Sequence, residues 1–200
     1  MPQLETLLIA INNLTGNIPP DIVNAQKVHV LDLSSNRLVR AIPKGFRRMT
    51  SLLKLMLNRN KLSGPITLEF GSLIDLEYLD LSSNKFNALV PSNLGSFLRL
   101  HHLNLSNNNF SQGIPVKLGK LVQLNELDLS YNSLEGSIPP EITNMESLET
   151  FNLSHNNLSG FVPSSFEGMH SLSYVDISYN ELEGPLPNNK AFQKAPPKAV

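Results

Sequence analysis

Residues 127–139 read LDLSYNSLEGSIP, and residues 151–163 read FNLSHNNLSGFVP. The two stretches lie 24 residues apart and fill the same pattern. Carried along the chain, that period gives eight units, starting at Leu4, Val28, Leu52, Leu76, Leu100, Leu124, Leu148 and Leu172. Each reads L-x-x-L-x-L-x-x-N-x-L-x-G-x-I-P and then runs into a looser stretch with further apolar pairs. Five apolar positions are filled in all eight units, as at Leu124, Leu127, Leu129, Leu134 and Ile138. The asparagine never fails: Asn12, Asn36, Asn60, Asn84, Asn108, Asn132, Asn156 and Asn180. The proline fails once, at Thr67, and the glycine three times, at Arg40, Ala88 and Gln112.

In x-L-x-L-x the leucines alternate with polar residues, so both point to one side of a strand. A single three-residue strand cannot bury that side. Copies stacked side by side make a parallel sheet over a continuous core. Strands about 4.8 Å apart make eight units span roughly 35–40 Å. The proline fixes φ and lacks an N–H, which suits an irregular or 3-10 return leg. Pairs such as Phe70/Leu73, Leu118/Leu121 and Phe166/Met169 read as the outer wall of the core. The expected fold is an α/β-type solenoid: mostly short parallel strands with 3-10 or irregular return legs, wound into a curved superhelix of about eight coils. The repeat domain is expected over residues 4–187, with a C-terminal tail over 188–200.

The recurring asparagine has a physical reason. After each strand the chain turns inward and its backbone groups lose their ladder partners. Leaving one such buried group unpaired costs about 1–3 kcal/mol. An asparagine amide offers two donors and one acceptor on a short stem. One per coil, stacked in register, serves the turns of its own coil and of its neighbour. The eight asparagines are therefore expected to be structural, and Asn107 and Asn109 beside Asn108 to face solvent.

Composition narrows the function. Net charge is −1, so no overall field favours nucleic acid or an anionic membrane. There is no cysteine, hence no disulfide framework and no thiolate metal site. No window reaches the 18 or so consecutive apolar residues of a membrane span. The first residues, MPQLETLLIAINNLTG, lack the basic start and small-residue cleavage site of a signal peptide. Eight basic residues and no acid fall between Arg37 and Lys61, which read first as a solvated face.

From the fourth unit onward the exposed strand face repeats itself as LDLS or LNLS and carries little information. The departures come earlier: Leu8 and Ile11, then Lys54, Met56, Asn58, Arg59 and Lys61, with Tyr78 and His102 beside them. Methionine, aromatic residues and arginine are favoured contact types. A ligand is therefore expected on this concave face at Lys54, Met56, Asn58, Arg59, Lys61, Tyr78 and His102. Catalysis is not expected. Asp32, Asp80, Asp128 and Asp176 form a row, but alternate coils place them about 10 Å apart, too far for a retaining glycosidase pair. On a face open to water nothing raises one carboxyl above another. His101 and His102 point to opposite sides of a strand and cannot share a metal. No metal site or cofactor is expected. Five N-x-S/T sequons, at Asn13, Asn104, Asn109, Asn152 and Asn157, are candidate glycosylation sites, although the repeat itself generates such triplets.

The L-x-G-x-I-P half resembles the plant-type, 24-residue leucine-rich repeat, and the resemblance covers residues 4–187. Repeats of this kind occur in the ectodomains of plant receptor-like kinases. The ending LEGPLPNNKAFQKAPPKAV is similar to the end of such an ectodomain. The resemblance implies a membrane-proximal part of a receptor at the apoplastic face of the plasma membrane. In the family a membrane helix and kinase follow, and disulfide-bonded caps flank the repeats; this chain has none. The first coil is therefore expected to expose its core edge. The resemblance further implies a peptide or protein ligand on the concave face and a co-receptor kinase near the C-terminal coils, about Glu126 to Glu183. The paired arginines by which several family members clamp a peptide end have no counterpart; Arg59 stands alone. Two alternatives stay open: a soluble apoplastic inhibitor of the polygalacturonase-inhibitor type, and a structural or ice-binding solenoid.

Overall fold

Each L-x-L segment forms a three-residue strand in the computed structural model, which describes residues 3–193. The strands are Thr6–Leu8, Val30–Asp32, Lys54–Met56, Tyr78–Asp80, His102–Asn104, Glu126–Asp128, Thr150–Asn152 and Tyr174–Asp176. They pair in parallel in coil order as one eight-stranded inner sheet. The register equals the repeat, with Tyr78 opposite His102 and Leu79 opposite Leu103. The central residue of each strand, leucine in six and Phe151 and Val175 in the other two, turns into the core and its flanking residues face outward. Leu55, Leu79, Leu103 and Leu127 have no exposed surface. Full burial of such a side chain stabilises by about 1.5–3 kcal/mol, so the stacked leucine columns dominate the energetics.

A second eight-stranded parallel sheet follows the ladder asparagines, which the leucine pattern does not announce. Its strands are two to five residues long: Thr15–Gly16, Arg37–Arg40, Lys61–Gly64, Lys85–Leu89, Asn109–Gln112, Ser133–Gly136, Asn157–Phe161 and Glu181–Glu183. The first seven then each enter a return leg through an extended residue. Six of the seven legs are preceded by proline; Thr67 holds the seventh at φ −79° and ψ 156° without a ring. The legs are five-residue 3-10 helices, from Pro20–Asn24 to Ser164–Gly168. Phenylalanines fill the width between sheets and legs. Phe46 and Phe70 stack at 6.3 Å, and Phe86 and Phe110 at 6.4 Å.

The two ends differ. At the first coil Leu4, Leu7 and Ile9 are only partly buried and line, with Leu14, Ile18 and Ile22, an open apolar groove of about 490 Å³. At the other end residues 188–193, the start of the expected tail, fold back as a lid. Asn189 donates to the carbonyls of Phe166 and Met169, both at 3.0 Å, and its Oδ1 accepts from the Ala191 amide. That begins helix α1, Lys190–Gln193, whose Phe192 sets its ring edge-on to Phe166 at 5.6 Å. Residues 194–200 lie outside the described part.

Candidate functional site

The inner face is braced by the asparagine row beneath its rim. Asn108 is representative. Its Nδ2 donates to the carbonyls of Leu81, Leu105 and Ser106, each at 3.1 Å, and its Oδ1 accepts from the Phe86 amide at 3.0 Å. Asn36, Asn60, Asn84, Asn132, Asn156 and Asn180 repeat the arrangement coil by coil. Asn12, in the first coil, is exposed and donates only to Ile9 and Ala10. The residue just before each ladder asparagine takes a left-handed conformation: Ile11, Ser35, Arg59, Ser83, Asn107, Tyr131, His155 and Tyr179 all have φ of 52–56°. This projects their side chains from the rim.

On the face so built, the candidate residues fall into two places. Lys54, Met56, Tyr78 and His102 share the inner sheet, on coils 3, 4 and 5. The Tyr78 and His102 rings stack at 4.0 Å with 1° between their planes, and His102 Nδ1 lies 3.0 Å from Glu126 Oε2. His102 Nε2 is buried without a hydrogen-bond partner. Asn58 and Arg59 sit in the following turn. Lys61 is placed differently from the expectation: it lies beyond the ladder Asn60, so it opens a strand of the second sheet and flanks the concave face. His101 precedes its strand and is exposed, with Nδ1 3.1 Å from the Gln123 carbonyl, so it does not point into the core opposite His102.

The inner face is acidic in character. Burial pushes the Tyr78 hydroxyl above its ordinary range, and Asp80, Glu126 and Asp32 push it the same way. The expectation that nothing distinguishes the aspartates fails at Asp128. Burial raises its carboxyl, Ser130 offsets this by donating its hydroxyl at 2.6 Å and its amide at 2.9 Å, and Glu126 and Asp80 add to the rise. Among the described residues no group of three or more His, Cys, Asp or Glu is placed to hold a metal ion.

One feature of the rim escaped the sequence reading. Tyr131, His155 and Tyr179 stack in a column, at 4.0 Å and 4.1 Å between ring centroids, along coils 6–8. Both tyrosines are more than half exposed. The signal was available: the three residues stand at one repeat position, 24 apart. The sequons divide as well. Asn13, Asn109 and Asn157 are exposed, whereas Asn104 and Asn152 are half-buried on the inner sheet, each with its Oδ1 accepting from a serine amide two residues on.

The family model of the leucine-rich repeat matches residues 26–86, 74–134 and 123–182. The chain belongs to the leucine-rich-repeat family. Comparison with curated protein sequences yields no match. Among solved structures, this leucine-rich-repeat chain is similar to plant receptor-kinase ectodomains. The Arabidopsis receptor kinase HAESA, in complex with the peptide hormone IDA and the co-receptor SERK1, is 36% identical with a TM-score of 0.92, over 95% of this chain and 32% of that one. The ectodomain of GASSHO1/SCHENGEN3 from Arabidopsis thaliana, in complex with CASPARIAN STRIP INTEGRITY FACTOR 2, is 34% identical with a TM-score of 0.88, over 90% of this chain and 22% of that one. PEPR1 with AtPEP1 gives 38% identity and a TM-score of 0.88, over 92% and 26%. The chain thus spans a third or less of these receptors' ectodomain chains. A plant ice-binding protein at 24% identity and a TM-score of 0.71 shares the leucine-rich-repeat fold alone.

Proposed function

We propose that this leucine-rich-repeat segment is a non-catalytic recognition module of a plant cell-surface receptor, binding a peptide or protein ligand on the inner face of coils 3–5. Lys54, Met56, Asn58, Arg59, Tyr78 and His102 make the contact, with Lys61 at its edge. One observation carries this reading: the stacked Tyr78–His102 pair, held by Glu126, interrupts an otherwise repetitive LDLS surface. A rigid, half-buried aromatic pair with a basic residue one coil away has the makings of a binding hot spot. The ectodomains it resembles carry peptide ligands and, in one complex, a co-receptor. A co-receptor ectodomain docks here near coils 6–8, where the Tyr131–His155–Tyr179 column offers rigid aromatic surface. The setting is the apoplastic side of the plasma membrane; no helix among the described residues is long and apolar enough to cross it. Glycans sit on the exposed Asn13, Asn109 and Asn157 and leave Asn104 and Asn152 bare, which keeps the inner face accessible.

Capture of secreted plant peptides and co-receptor ectodomains by the immobilised chain tests this. Capture lost on Tyr78→Ala with His102→Ala supports the reading. Capture unchanged by that pair of substitutions, or inhibition of a fungal pectinase with no peptide captured, overturns it.

A further inference from the structure

The second sheet carries charge that the inner-face reading leaves unused. The residue after each ladder asparagine opens its strand in every coil but the first, and along the coils it is Asn13, Arg37, Lys61, Lys85, Asn109, Ser133, Asn157 and Glu181. In coils 2, 3 and 4 that residue is a cation, and all three are exposed. The parallel pairing of these strands is offset by two residues from the repeat, with Lys61 opposite Val39 and Lys85 opposite Ser63, so the cations stand diagonally on adjacent coils, about 8 Å apart from one coil to the next. Arg59, projected from the rim by its left-handed backbone at φ 54°, stands two residues before Lys61.

The basic run thus becomes a column rather than a dispersed solvated face. Like charges at diagonal positions on neighbouring strands repel. Among the described residues no carboxylate pairs with any of the four: the ion pairs are those of Arg99 with Asp75 and Glu77, and of His102 with Glu126. The nearest aspartates in the sequence, Asp32 and Asp80, accept from the amides of Ser34 and Ser82 in their own turns. Four of the other five coils place asparagine or serine at the column position and one places glutamate, so the fold does not need a cation there. Three unpaired cations over two such diagonal steps cover roughly 16 Å, the length of about five residues of extended chain.

We infer that Arg37, Lys61 and Lys85, with Arg59, form a rail that receives a short acidic run, about five residues long, of the peptide ligand. The inference rests on the reading of the chain as a peptide-recognition module. It assigns the ligand a carboxylate-rich segment lying outside the inner sheet, beside coils 2–4. Complementary charge at such a rim speeds encounter and fixes the direction in which a peptide lies, more than it adds affinity.

The test uses the whole chain and a fluorescein-labelled peptide with a central Glu-Asp-Glu-Asp-Glu between Gly-Ser flanks, with a Gln-Asn-Gln-Asn-Gln version as control. Anisotropy at low salt is expected to show binding of the acidic peptide only. The triple variant Arg37→Gln, Lys61→Gln, Lys85→Gln is expected to bind about tenfold more weakly, since each exposed charge contact contributes modestly. The double variant Lys117→Gln, Lys120→Gln, on the return leg of coil 5, is expected to bind as the parent does. No binding of the acidic peptide, equal loss in both variants, or preferential binding of a uronic-acid trisaccharide at the rail overturns the inference. Rail-dependent binding in a Tyr78→Ala, His102→Ala background upholds the rail even where that background abolishes capture of natural ligands, so the two readings fail separately.

Discussion

Replacing Asn108 by alanine removes four hydrogen bonds, yet they are not equivalent. The Leu81 carbonyl also accepts from Asn84 Nδ2, and the Leu105 carbonyl from Asn132 Nδ2. The Ser106 carbonyl also accepts the Ser83 amide. Only the Phe86 amide loses the side-chain acceptor on which it depends. One orphaned buried N–H costs about 1–3 kcal/mol, and the lost amide volume and weakened carbonyl bonds bring the total to about 2–4 kcal/mol. The shared carbonyls make a sharper expectation. Asn84→Ala and Asn108→Ala together strip the Leu81 carbonyl of both donors, so the pair should exceed the sum of the singles by about 1–2 kcal/mol. Asn84→Ala with Asn156→Ala share no group and should add. Asn12→Ala, with no acceptor role to lose, should cost under about 1 kcal/mol. Urea unfolding at constant m gives all six values, four single variants and two double. Additivity in the neighbouring pair, or an Asn108→Ala midpoint equal to the parent's, would refute the reasoning.

Four further outcomes are expected. Gly119→Ala puts a Cβ against the Glu141 carbonyl oxygen, a backbone atom of the next return leg, and should cost more than about 2 kcal/mol in the same denaturation series. Ala88 has φ of 67° where five coils have glycine, so Ala88→Gly should stabilise by about 0.5–1 kcal/mol, read as a rise in urea midpoint. Phe192→Ala should cost about 3–5 kcal/mol and increase hydrogen exchange first in the Ser164–Gly168 leg it covers. Burial raises the Asp128 carboxyl, so the native state holds its proton to higher pH than the unfolded chain does, and stability falls as pH rises through that window. Asp128→Asn should therefore be the more stable protein at neutral pH, and the gain should shrink on acidification until the carboxyl is protonated in both states. Asn104 and Asn152 already fill the equivalent position, accepting from the following serine amide as Asp128 does.

The inner sheet was legible because its signal is redundant: eight apolar pairs at one spacing, five of them leucine pairs, leave no other surface to bury. The asparagine row was legible for the same reason. The second sheet was not, since its strands mix Arg, Lys, Asn, Ser and Glu at the exposed positions and follow a left-handed residue that shows no common side chain. Lys61 was consequently assigned to the concave face, although a turn and the buried Asn60 separate it from Met56. The close contacts of Gly95 and Gly119 with the following return legs were equally hidden, because a packing contact between coils leaves only a glycine in the sequence. Ala191 and Phe192 read as part of a tail because two buried residues make no period. At the candidate site, sequence drift marked Tyr78 and His102, but their stacking needed the register of the inner sheet.

Hydrogen-exchange protection by a ligand captured from secreted plant peptides tests the central claim most directly. The account expects protection concentrated in Lys54–Met56, Tyr78–Asp80 and His102–Asn104, with the 3-10 legs unchanged. Protection confined to the legs, or spread evenly over all eight coils, would contradict recognition through the inner face.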